Sequence, residues 1–231
     1  MTEIATTATA TGGTVITVRG EYSARYPAER ATLTASVAFD GEDREAIIEA
    51  TAAAAASFRE HLVELKADRS ITSWSSDRVH IWSDRPWNQD GVQLDPVTHA
   101  SIGFRVVFSD FDELGQLLTD FATEDGIGFQ FISWDLTDAT KTTATAEVRS
   151  RAVRDAVAKA TVFAQSIGLG SVRATALADP GMLGVQSSGE SPTADMNLAA
   201  FRSKSADAPE LAVNPEDIEV TARVDARFTA A

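Results

Sequence analysis

His61, His80 and His99 are the three imidazoles of the 231 residues, and they are the first groups to consider for proton transfer or metal binding. His80 and His99 flank a hairpin-like segment in which Asp77, Asp84, Asp90 and Asp95 follow closely. Two imidazoles and a carboxylate meeting there would make a metal or small-molecule site, although the spacing fits no established metal motif. His61 falls on the apolar face of a helix or at its border, where a structural role, packed or at the surface, is expected. Three of the four tryptophans, Trp74, Trp82 and Trp87, crowd into the same stretch. Trp74, Ser76, Arg78, His80 and Trp82 share one strand parity, which predicts a single aromatic and polar face. Tryptophan and arginine dominate the residues that anchor protein contacts. The candidate interaction surface is therefore Trp74, Arg78, His80, Trp82, Trp87 and His99, read as an interface before a ligand pocket.

Other chemical templates fail. With no cysteine, disulfides, thiolate catalysis and thiolate-bound metals are excluded. Ser187 and Ser188 lack a G-x-S-x-G elbow and its strand–turn–helix setting. The glycines of "EDGIGF" and "SIGLGSV" are turn and helix-end glycines without a βαβ context, and no phosphate-binding loop occurs. Glu42/Asp43 and Glu216/Asp217 are neighbours at element starts, suited to capping and not to a separated acid–base pair. Arg149, Arg151 and Arg154 are diluted by Glu147 and Asp155 into an ordinary solvated helix face. No catalytic, cofactor-binding or metal-ligating residue is assigned, and the expectation is a non-enzymatic protein without a cofactor.

Charge points the same way. Lys and Arg number 20 against 34 Asp and Glu, for a formal charge of −14. Such a surface repels phosphate backbones and anionic lipid, so no nucleic-acid partner is expected. No window reaches the roughly 20 apolar residues of a membrane span. The opening "MTEIATTATATGGT" has neither a basic nor an apolar leader segment, which predicts a cytoplasmic protein.

The elements that must position these residues follow from period. Residues 1–13 read as a flexible arm ahead of one domain at 14–229. Ile16, Val18, Gly20, Tyr22, Ala24 and Tyr26 alternate as a strand, and after Pro27 a second strand carries Ala31, Leu33, Ala35, Val37 and Phe39. The short turn between them predicts a hairpin, with Gly20 marking a bend or a close backbone approach. Ile47, Thr51, Ala54, Phe58, Leu62 and Leu65 advance by helical steps. Two strand candidates follow at 70–84 and 97–110, then an amphipathic helix closed by Gly126 and a strand from 127. A long helix from about Lys141 to Ile167 carries Val148, Ala152, Ala156, Ala160, Phe163, Ala164 and Ile167 on one face, and Gly168 stops it. A strand at 171–179, an aperiodic insertion at about 186–213 and a regular strand at 218–228 complete the chain. The order ββα-ββα-βα-ββ predicts an α+β fold, an antiparallel or mixed sheet with helices on one face.

Several of these segments together resemble the SIMPL domain, over about 15–228. The opening strand carries Val18-Arg19-Gly20 followed by Pro27 and Ala31. "FDELGQLLTDFATEDGI" is similar to the family's middle helix and glycine turn, "RSRAVRDAVAKATVFAQSIGLGSV" to its alanine-rich helix, and "NPEDIEVTARVDARF" to its last strand. The chain departs from the usual pattern at Ala28, where many members have Asp, and at Pro215-Glu216-Asp217, where many have Pro-Gly-Glu. The resemblance implies a protein working by self-assembly or by binding a protein partner, as a homo-oligomer, in a stress response of a bacterial cell. It transfers no catalytic residue.

Overall fold

A computed structural model describes residues 13–183 and 213–231 of the chain. Apart from Gly13 and Val213, the expected arm and insertion lie outside the described residues. The order is β1 (Thr14–Tyr26), β2 (Arg30–Gly41), α1 (Arg44–Ala67), β3 (Ile71–Ser76), β4 (His80–Asp84), β5 (Val97–Phe108), α2 (Phe111–Asp120), β6 (Ile127–Asp135), α3 (Asp138–Ser166), β7 (Val172–Ala178) and β8 (Ile218–Ala230). The fold is α+β with antiparallel pairing. It differs from the expected order by one strand, because residues 70–84 form two strands and not one.

Packing separates the described residues into two compact units, one of residues 13–25, 138–183 and 219–231, the other of residues 26–137 and 213–218. The expected hairpin between the first two strands does not form. β1 lies beside β8 in a three-stranded sheet β1-β8-β7, whereas β2 sits between β5 and β6 in a five-stranded one. Pro27 therefore marks the passage from one unit to the other. Alternation within each strand is unaffected, because period 2 specifies a buried face and says nothing about the partner.

In the first unit, α3 covers its sheet with Ala152, Ala156, Ala160 and Ala164, all fully buried at steps of four. Small side chains let the helix approach the strand closely, and Gly20 is a point of close approach. A Cβ there would run into the Ala152 carbonyl oxygen and come within 2.8 Å of Ala156 Cβ. Phe163 and Ile167 fall outside this stripe and stand exposed. Gly168, at φ 79°, ends the helix, and Leu169 N–H donates back to the Ala164 carbonyl at 2.9 Å. Across β1 and β8, Arg19 pairs with Asp225 at 2.8 Å and Arg223 with Glu21 at 2.9 Å. The hydrogen bond from Arg19 holds the Asp225 carboxyl below the usual carboxylate range.

In the second unit, α1 and α2 pack on one face of the sheet β3-β5-β2-β6, with β4 paired to β5 beyond β3. Leu33, Val37, Phe58, Leu62, Ile102, Val106, Phe108, Leu114 and Leu117 form its core. Asp43 caps α1, its carboxylate accepting from the Glu45 and Ala46 amides, and Asp110 caps α2 in the same way. The C-cap of α2 is Phe121, not Gly126. Gly126, at φ 77°, belongs to the turn into β6 and lies against the Phe39 ring, where a Cβ would clash.

Candidate functional site

The long strand β5 organises the site. Its even-numbered residues from Thr98 to Phe108 are buried, those from Ile102 onward in the core shared with the helices, so His99, Ser101, Gly103, Arg105 and Val107 line the opposite, open face. β3 and β4 run side by side along this one strand, β3 against its end and β4 against its beginning. Trp82 stands opposite His99, His80 opposite Ser101 and Asp84 opposite Val97, which puts all three on the open face.

The aromatic and polar face expected from parity is split. Trp82 lies eight positions beyond Trp74, but their partners Val106 and His99 are only seven positions apart. The extra residue lies in the interruption at Asp77–Val79, and an extra residue on one side of a ladder inverts the facing of everything beyond it. Trp74 consequently packs against the core, while Trp82 faces outward. Asp77 anchors the interruption through its amide, which donates to the Gly103 carbonyl at 2.8 Å.

Around Trp82 the groups are close. Its ring stacks on His99 with centroids 4.9 Å apart and planes 13° from parallel, and His80 lies 4.9 Å away, tilted by 43°. His99 Nε2 is 2.9 Å from Asp84 Oδ1. On the buried side of the same two strands, Ser83 and Thr98 share a hydrogen bond of 3.1 Å. The loop beyond β4 is held by Asn88, whose side-chain carbonyl accepts from the Asp90 and Val92 amides, and by a bridge between Trp87 and Gln93. Arg78, in the interruption, is exposed.

The structure thus brings His80, Trp82, His99 and Asp84 together and places Trp87 and Arg78 at either end of them. Trp74 leaves the cluster for the core. Asp90 and Asp95 lie in the loop, and Asp77 lies over Gly103. Among the described residues, no group of three or more His, Asp or Glu converges in a way that could hold a metal ion. The geometry contains one imidazole–carboxylate pair flanked by a tryptophan. His61 packs edge-on against Phe121 at 5.3 Å, as its helical position predicts.

The centre of the open face escaped the sequence reading. Gly103, Ser36 and Gly128 stand in one row across β5, β2 and β6, and Arg105, Thr34 and Phe131 stand in the next. Glycine inside a strand was the available signal, since it weakens a strand unless something approaches closely. That the glycines align needed the registers of three strands.

No helix among the described residues is long and apolar enough to cross a membrane. The family model described as SIMPL, protein of unknown function (DUF541), matches residues 16–228. Comparison with curated proteins finds no match.

Proposed function

From its membership of the SIMPL family, to which the chain belongs, we propose that this protein acts without catalysis, by associating through the outer edge of β4 and the loop that follows it. The observation that carries this reading is an unpaired strand edge bordered by exposed apolar side chains. Among the described residues β4 pairs only with β5, and Trp82, Trp87, Val92 and Leu94 beside it are 43%, 66%, 57% and 45% exposed. A free edge of backbone amides and carbonyls is a template for another strand, and tryptophans next to it supply apolar area that water favours burying.

The occupant is a second copy of the chain. Antiparallel pairing of β4 with itself about Ile81 would place Arg78 opposite the partner's Asp84, and His80 opposite the partner's Trp82. A two-fold axis repeats both contacts, so the Arg78–Asp84 pair forms twice. A stress-related role is the biological setting that the family resemblance suggests for such an assembly.

Light scattering coupled to size exclusion tests the reading. The native chain should run as a dimer or larger assembly, and Arg78→Asp should shift it toward monomer. Adding Asp84→Arg to that variant should restore association by exchanging the charges. A native chain that stays monomeric at high concentration would contradict self-association and leave a different protein as the occupant of this edge.

A further inference from the structure

We propose that the open face of the five-stranded sheet holds a binding site for a small zwitterion of the α-amino acid class, between Arg105 and Asp77. The site is independent of the β4 edge proposed for association. It is a recess of about 230 Å³ lined by Thr34, Ser75, Asp77, Gly103, Arg105 and Gln130. Ligand pockets for drug-sized molecules run to roughly 300–1,000 Å³, so this one suits a ligand of only several heavy atoms.

Its shape comes from two irregularities in the sheet. On one side β3 gives way to β4 at Asp77, and on the other the register of β2 against β6 shifts between Thr34 and Ala35, leaving Gln130 without a partner in the ladder. Bulges of this kind re-aim side chains and gather beside functional sites. Between them the floor is cut down to glycine: a Cβ on Gly103 would lie 2.6 Å from Asp77 Oδ2. The carboxylate therefore occupies space that any other residue would fill.

Charge selects the ligand. Asp77 lies over Gly103, and Arg105 is two residues along the same face of β5, about 7 Å away at the backbone. Among the described residues neither side chain has an ion-pair partner, and they do not pair with each other. Two opposite charges held apart across a small recess fit a molecule that carries both. The ligand's carboxylate would receive the guanidinium hydrogen bonds of Arg105, and its ammonium would donate to Asp77. Among the described residues, Thr34 Oγ1 at this recess is buried and has no hydrogen-bond partner, which is costly in a native structure unless a ligand or water supplies one.

Amide chemical shifts of the full chain, titrated with glycine, serine, glutamine and glutamate, test the proposal. At least one should give saturable shifts centred on Ser75, Gly103 and Arg105, and the N-acetyl amide of the same amino acid should give none. Arg105→Gln and Asp77→Asn should each weaken binding by about tenfold or more, as lost charge-assisted hydrogen bonds do. Gly103→Ala should weaken it as well, with unchanged circular dichroism, because the added methyl displaces only the end of a flexible side chain. No saturation by about 10 mM ligand would overturn the proposal, since the charge-assisted contacts invoked would then add too little affinity to matter. So would binding of the N-acetyl amide, retained affinity in both charge variants, or shifts that map elsewhere. If a variant fails to fold, the shift map on the native chain decides alone.

Discussion

The Trp82 indole lies nearly parallel to the His99 imidazole, with centroids 4.9 Å apart, while the far nitrogen of that imidazole meets Asp84 at 2.9 Å. Three side chains from two strands are thus ordered as one unit on the face of the sheet opposite α1 and α2. A double-mutant cycle of Trp82→Ala and His99→Ala should give a coupling of about 0.5–1.5 kcal/mol, as for other aromatic pairs, measured by urea unfolding. Strict additivity of the two single changes would mean that the stack contributes nothing to stability.

The facing of Trp82 depends on the residue count between β3 and β4. Deleting Val79 should equalise the two sides and turn His80 and Trp82 toward the core face. Burying those polar groups, or detaching β4 to avoid it, should cost on the order of 2 kcal/mol and open the 77–97 segment to limited proteolysis. Unchanged stability and protection would show that the interruption does not set the register.

Gly20→Ala should be among the most damaging small substitutions in the chain. The new methyl meets the Ala152 carbonyl, and helix backbone cannot rotate away as a side chain can. The expected loss is about 3 kcal/mol, at the upper end of overpacking effects, read as a lowered midpoint in urea. By contrast Gly91, whose Cβ direction meets nothing within 4 Å, offers a control in which only its φ of 73° resists substitution.

Acid should weaken the three-stranded unit through Asp225. Its carboxyl is held below the ordinary range chiefly by the Arg19 hydrogen bond, helped by the Gly181 amide. A depressed native pKa means that the stabilisation is complete above the unfolded value of about 3.9 and fades as pH falls through the native value. Asp225→Asn should therefore cost roughly 1 kcal/mol at pH 7, as a partly exposed pair does, with the difference shrinking in strong acid. A difference that persists unchanged below the native pKa would assign the effect to packing. Thermal unfolding of both forms across that range distinguishes the two.

What could be read directly was whatever one segment decides for itself. The alternation of β2 and β5, the alanine stripe of α3 and the positive-φ stop at Gly168 are consequences of period and side-chain size along a single stretch. The same is true of His61, whose place on a helical face already gave it a structural role. Membership of the SIMPL family belongs here too, since it rests on the order of such stretches.

Pairing between segments was not legible. Nothing within β1 says that it will lie beside β8 and leave β2 to β5 and β6, because a half-buried strand presents the same alternation to any partner. Trp74 and Trp82 have one parity in the chain and opposite faces in the sheet, since one extra residue is visible only when counted against β5. The Gly103–Ser36–Gly128 row and the facing of Arg105 and Asp77 needed three registers at once. Apart from the break of residues 70–84 into β3 and β4 and the exposure of Phe163 and Ile167, the sequence by itself determined most of the elements, the main buried stripe of each and the concentration of aromatic and imidazole groups around β4. Only the tertiary structure decided which of those groups meet, because hydrogen-bond register is a relation between strands and is written in neither one alone.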